Sequence, residues 1–350
     1  MKETRRAFIL AAGSAAAAVS LPQEVVRAAD DAGRDGKESR RADATEVVKF
    51  QSASYSDVRQ LVAREAPAST VTVSATLSFP DRAQERYPAL VIAHTIGGYQ
   101  DINEGWHSLE FRKAGFATLT YDSFSARGIS ERAIINAGVG PLAWAVVDAF
   151  MALRLLARHP KIDPGRIAIV GFSLGGEVAH LTAFEWLRSI FGSEQPRFAA
   201  HVAYYPAGVY GTVGNEHAYT RAPILMLLGE KDDNLPVAKI EDYLSYAKAA
   251  GRPAPIEVVV YPGALHTWTV SRLGAPRFYP QYGSTRRCPL ILLGSDKPAF
   301  LIDGQARPFD ENSMRKCLTE GQGYSMAYDA SIRAKSTSDS VQFLERNLLQ

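Results

Sequence analysis

The chain has little of what several protein classes require. Two cysteines, Cys288 and Cys317, stand among 350 residues, too few for a metal cluster or a disulfide scaffold. The formal net charge is +2, which provides no basic surface for nucleic acid and no pull on an acidic partner. Outside the N-terminus no run approaches the ~18 continuous apolar residues of a membrane span, so no stable membrane anchor is expected. The seven histidines are scattered, and no His-x-x-x-His pair stands on one helix face, so neither a metal nor another cofactor is expected. No repeat of propeller-blade length is visible. What remains is ordinary globular composition, 46% hydrophobic and 22% charged, with length for one large core or two small ones.

The N-terminus has its own character. Thr4-Arg5-Arg6-Ala7-Phe8-Ile9-Leu10 resembles the twin-arginine export motif. A short alanine-rich stretch from Phe8 to Leu21 follows, too brief and too weakly apolar to stay in a bilayer. Residues 1–28 are therefore expected to be a twin-arginine signal peptide read by the export machinery, with Val26-Arg27-Ala28 as a cleavage site. The mature protein would be periplasmic or secreted. Residues 29–45 are charged and small and lack aromatics, so they read as a disordered tether.

From Glu46 onward, strand and helix patterns alternate. Strands are expected at Val47–Phe50, Ser69–Phe79, Ala89–Ala93, Phe116–Tyr121, Ile167–Val170, Ala199–Tyr204, Ile224–Leu228 and Ile256–Tyr261, and helices at Trp106–Ala114, Gly140-Pro141 to His159, Gly176 to about Phe191, Val237–Ala250 and Asp329–Leu348. That alternation predicts an α/β domain over residues 46–350, with a mostly parallel central sheet covered by helices on both faces. Residues 270–325 break the alternation, are rich in Gly, Pro, Arg and Tyr, and hold both cysteines. They read as an insertion. A Cys288–Cys317 bridge would close a loop of roughly 30 residues and contribute about 3–4 kcal/mol in the chain-entropy model; two separate buried thiols are the alternative.

The chemistry centres on Gly171-Phe172-Ser173-Leu174-Gly175. A Gly-x-Ser-x-Gly pentapeptide between a buried strand and a helix is the context of a nucleophile elbow. A Cβ at 171 or 175 is expected to collide with the neighbouring strand or helix. A serine hydroxyl needs a base, and the base needs an orienting acid. In parallel-sheet hydrolases these follow in the order Ser, Asp or Glu, His, each just after a strand. Ser173, Asp232 and His266 supply that order, with Asp233 as a competitor for the acid. The oxyanion hole needs two backbone donors, expected from the amides of Ile96, in His94-Thr-Ile-Gly-Gly98, and Leu174. Tyr99, Trp106, Phe124 and Trp268 lie on or near the same loops as candidate walls of a substrate pocket, although aromatics at such places are more often plain core.

With these residues in hand, the chain resembles the dienelactone hydrolase family of the α/β-hydrolase superfamily. The likeness runs from about Val71 to His266 and resumes in the last helix. It rests on Ala89–Gly98, Asp122–Gly128, Asp163–Arg166, Gly171–Gly176, Leu228–Pro236 and Tyr261–His266. The resemblance implies the α/β-hydrolase fold, the acid at Asp232, the base at His266 and the second oxyanion donor at Ile96. It also implies a serine variant of the family: Ser173 stands where the family carries cysteine, Thr95 where it carries a glutamate, and Val270 where it carries a substrate-binding arginine. Arg127 is then a second basic group near the mouth. The expected activity is hydrolysis of a small carboxylic ester through an acyl-enzyme. The alternatives are an amidase or peptidase of the same fold and a non-catalytic binding protein on that scaffold.

Overall fold

The computed structural model describes residues 45–55, 58–130, 142–212, 219–249, 254–293 and 298–349. The expected signal peptide, all but the last residue of the expected tether and the Gly140-Pro141 helix start lie outside them. An eight-stranded sheet carries the domain. Its strands are β1 (Thr45–Ser54), β2 (Ser69–Ser78), β3 (Tyr87–Ala93), β4 (Ala117–Tyr121), β5 (Ile162–Phe172), β6 (His201–Tyr204), β8 (Ile224–Gly229) and β9 (Ile256–Tyr261), in the order β1-β2-β4-β3-β5-β6-β8-β9. The short strand β7 (Tyr210–Thr212) belongs elsewhere. From β4 to β9 all pairings are parallel, and β1 and β2 add an antiparallel edge. The fold class expected from the alternation is the one observed.

Why the sheet is covered on both faces is visible in β3, which is buried throughout. Side chains alternate across a strand. Ala89, Val91 and Ala93 pack with Val146, Phe150 and Leu153 of the helix Leu142–Ala157. Leu90 and Ile92 pack with Phe111 of the helix Trp106–Lys113 and with Phe343 and Leu344 of the helix Ala330–Leu348. The crossover helices thus bury both faces, as a parallel sheet requires.

One expected helix is broken. The stretch from Gly176 to Phe191 forms a helix at Leu174–Leu181 and a separate short one at Glu185–Ser189. Phe184 between them is extended, with φ −79° and ψ 124°. The freed Ala183 carbonyl accepts from the Thr220 amide, and Phe184 pairs with Tyr219. Tertiary pairing has overridden helical periodicity there.

The insertion is built rather than loose. It holds β10 (Arg277–Tyr279), β11 (Leu290–Leu293), β12 (Ala299–Ile302), β13 (Gln305–Pro308), the helix Glu311–Glu320 and β14 (Tyr324–Met326). β10 pairs with β14, while β13, β12, β11 and β7 form a second sheet. Cys288 and Cys317 are joined in a disulfide. No described helix is long and apolar enough to cross a membrane.

Candidate active site

Ser173 sits where β5 turns into the helix Leu174–Leu181. Its backbone is left-handed in φ, at 52°, with ψ −109°. A non-glycine residue held there is strained and persists only when its surroundings over-determine it. The surroundings do so. Ser173 donates its amide to the Tyr204 carbonyl at 3.0 Å, and its own carbonyl accepts from Glu177 at 2.9 Å and Ala207 at 3.0 Å. The neighbouring glycines are there for space. A Cβ on Gly171 would overlap the Gly175 carbonyl, one on Gly175 would overlap the Ala93 carbonyl at the end of β3, and one on Gly176 would lie 2.7 Å from the Tyr204 oxygen.

Opposite the serine, β8 and β9 deliver two further loops. Ser173 Oγ lies 2.8 Å from His266 Nε2, and His266 Nδ1 lies 2.7 Å from Asp232 Oδ2. A carboxylate accepts only, so Nδ1 carries the proton and Nε2 is left to accept from the serine. The other Asp232 oxygen accepts the amides of Asn234 at 2.9 Å and Leu235 at 3.2 Å, which fixes the carboxylate. Asp233, the competitor, points away. Its carboxylate accepts from the Ser325 amide at 2.7 Å and the Ser325 hydroxyl at 3.3 Å. The three aligned residues are almost covered: Ser173 is 3% exposed, Asp232 4% and His266 0%. Tyr205 and Tyr324 stand edge-on to the imidazole at 5.2 and 5.1 Å.

The loop after β3 forms the third wall. Gly98 has φ 75° and donates its amide to the Thr95 carbonyl at 3.1 Å, and the Gly97 amide reaches Thr95 Oγ1 at 3.1 Å. Among the described residues, neither the Ile96 nor the Leu174 amide has an acceptor, so both remain available as donors.

Two residues here escaped the sequence reading. Glu104 is fully buried, and its carboxylate accepts from the amides of Thr95 at 3.1 Å and Gln100 at 2.9 Å and from the Asn103 side chain at 2.9 Å. Burial pushes its pKa up, opposed by the His94 charge and by these hydrogen bonds. Asn103 Oδ1 in turn accepts from Thr269 Oγ1 at 2.7 Å, and Thr269 bonds the Tyr205 hydroxyl. A buried polar network therefore links the loop after β3 to the loop carrying His266. In sequence, Asn103-Glu104 looks like the polar entry to a helix; nothing local marks it as buried.

The expected pocket residues separate. Tyr99 is partly exposed, and its hydroxyl donates to Asp101 at 2.9 Å. Burial, then Asp101, pushes its pKa up to about 12. Trp106 lies under the Arg333 guanidinium, 3.7 Å from the ring centre. Phe124 is core, packed on His94 and Trp144, and Trp268 is fully buried between Tyr205 and Tyr261 with its indole N–H on Ser336. For Phe124 and Trp268 the pocket expectation is replaced by a core role. Arg127 is likewise no basic group at the mouth. It forms a two-pronged pair with Asp148 at 2.9 Å in which both side chains are buried, and it stacks on Trp144. A guanidinium out of water takes a buried carboxylate when one is in reach. Among the described residues no group of three or more His, Cys, Asp or Glu side chains could hold a metal ion.

The model of the dienelactone hydrolase family matches residues 73–278, more than half of the chain and all three aligned residues. A protein from Yersinia pestis provisionally named carboxymethylenebutenolidase is 26% identical over 221 residues, covering 58% of this chain and 76% of its own length. A second with that provisional name, from Methylorubrum extorquens, is 26% identical over 245 residues, covering 64% and 78%. Among solved structures, a dienelactone hydrolase-like promiscuous phosphotriesterase from metagenomic libraries shares the fold with a TM-score of 0.51 at 14% identity, covering 87% of this chain and 99% of that one.

Proposed function

The chain belongs to the dienelactone hydrolase family of ester hydrolases, and on that premise we propose that it cleaves small carboxylic esters with Ser173 as nucleophile, His266 as base and Asp232 as orienting acid. The observation that carries the reading is the unbroken chain from Ser173 Oγ to His266 Nε2 at 2.8 Å and from His266 Nδ1 to Asp232 Oδ2 at 2.7 Å. As Ser173 attacks the ester carbonyl, His266 takes the hydroxyl proton, and Asp232 stabilises the imidazolium. The developing oxyanion is met by the Ile96 and Leu174 amides. Collapse of the tetrahedral intermediate breaks the bond to the alcohol, which leaves with the proton from His266. Water then attacks the acyl-serine with His266 again as base. The acid departs, the proton returns to Ser173, and no cofactor takes part.

The test is intact-mass labelling with a fluorophosphonate. The wild type takes one adduct and Ser173→Ala takes none, and S173A and H266A each lose roughly 10⁴–10⁶-fold in kcat on a p-nitrophenyl ester. A folded wild type without adduct or turnover would favour the binding-protein alternative, and faster cleavage of matched anilides than esters would favour the amidase.

Export of the mature domain is part of the proposal. Arg5-Arg6 and the short apolar stretch after them support it, and so does the Cys288–Cys317 disulfide, since such bridges persist in oxidising compartments. Replacing Arg5 and Arg6 by lysine leaves the protein in the cytoplasm if the pair is the export signal; unchanged export would remove that part of the reading.

A further inference from the structure

Asp232 and Asp233 are neighbours in the chain and do different things. Asp232 faces His266, whereas both oxygens of Asp233 are taken by Ser325, with Arg286 Nη1 at 3.5 Å from the carboxylate. Ser325 is the middle residue of β14. Its two neighbours meet the base. The Tyr324 ring stands edge-on to the imidazole at 5.1 Å, and Met326 forms a bridge with His266, whose carbonyl accepts the Ala327 amide at 3.2 Å. A three-residue strand thus touches the acid loop through its centre and the base through its flanks. The same loop is held once more by Ser284, whose hydroxyl donates to the Asn234 carbonyl at 3.1 Å. β14 itself is supported by pairing with β10, by the Gly323 amide on the Tyr282 carbonyl at 2.8 Å, and by the disulfide that closes the segment just before it.

We propose that Asp233 is a positioning residue of this hydrolase: it latches β14 across the acid and base loops, so that Tyr324 and Met326 hold His266 at its distance from Ser173. The inference rests on the triad reading above and adds a task for the insertion, most of which, β14 included, lies beyond residue 278 where the family match ends. A latch of this kind acts on the rate of the chemical step. A base that wanders by about 1 Å costs on the order of 10²-fold, while a substrate that does not touch β14 binds as before.

The experiment compares Asp233→Ala, Asp233→Asn and Tyr324→Ala, alone and as D233A/Y324A, in fluorophosphonate labelling and in p-nitrophenyl acetate turnover. D233A is expected to reach one adduct per chain, which shows a folded and competent site, but at a rate about 10–100-fold lower. Its kcat falls in step while KM moves by less than about threefold. D233N recovers most of the rate, because an amide oxygen still accepts the Ser325 N–H. The double variant is no worse than the poorer single one, because both act through one latch. Should D233A fail to fold, Y324A reads the same latch from the other side with the same expected loss. A labelled wild type beside a D233A of equal rate, or losses that multiply in the double variant, overturns the latch alone. A wild type that takes no adduct overturns the triad reading, and this inference with it.

Discussion

The two sides of the site are held in place by different physics. On the serine side, position is a matter of volume. Gly171, Gly175 and Gly176 leave room for nothing larger than hydrogen, and the Ser173 backbone is pinned by three main-chain hydrogen bonds. On the histidine side, position is a matter of polar ties to distant parts of the chain. Asp233 reaches Ser325, Asn234 reaches Ser284, and Thr269 reaches Asn103. A steric constraint has no graded failure, because packed backbone cannot yield by half an ångström without moving a strand. A polar tie can be weakened one group at a time, so the histidine side is where tuning without collapse is available.

The comparison can be broken or sharpened in four ways. The largest effect is expected from Gly175→Ala, whose methyl would enter the Ala93 carbonyl. It should cost more than about 4 kcal/mol and be seen as loss of cooperative unfolding and of labelling; a folded G175A that labels normally would end the steric account. Next comes the disulfide. C288S/C317S should lose about 3–4 kcal/mol in the chain-entropy model. Hydrogen exchange should speed in 317–326 and leave 167–181 protected, and equal loss in both segments would show that the sides are not separable. Third, Glu104→Gln keeps the shape but only one oxygen, so one of the backbone amides of Thr95 and Gln100 loses its acceptor. The expected cost is about 1–3 kcal/mol, with kcat lowered more than KM, and a change in KM alone would remove the link from Glu104 to the oxyanion loop.

The fourth effect is confined to a pH window and concerns Glu177, one turn beyond the serine. Burial pushes its carboxyl up to about 7, and a hydrogen bond from Tyr210 pulls it partly back. The folded state therefore holds a proton that the unfolded chain releases near the ordinary value of 4.5. The stability this gives is complete below about 4.5 and is lost as pH rises to about 7. Glu177→Gln has no such titration, so its melting temperature should gain on the wild type through that window and then run parallel. A constant difference across the window would mean that the carboxyl titrates normally.

The same division explains what could be read in advance. The parallel sheet follows from apolar runs such as Ala89–Ala93 set between helical patterns, and the elbow follows from glycines whose need for space is local. The alignment of Ser173, Asp232 and His266 at the ends of β5, β8 and β9 could be expected from chain order. Glu104 and Arg127 could not be placed, because burial is a property of what covers a residue. Glu104 is tied to Thr95, Gln100 and Asn103, and Asn103 to Thr269, 166 residues later; Arg127 is covered by Asp148, which comes 21 residues later on the helix Leu142–Ala157. The choice between Asp232 and Asp233 was open for the same reason: it is decided by Ser325, 92 residues further on.

The last helix carries a consequence for the order of events. Arg333 donates to the Ile102 carbonyl across 231 residues of sequence and stacks on Trp106, the Asp329 amide meets the Trp268 carbonyl, and the Tyr204 hydroxyl meets Ser336. The members of these pairs at the last helix, Asp329, Arg333 and Ser336, are made on the ribosome long after Ser173. Ser173 is thus synthesised early and its surroundings are finished late. During synthesis the chain carries Ser173 before it carries the residues beyond 326 that pack around Ile102, Trp106, Tyr204 and Trp268.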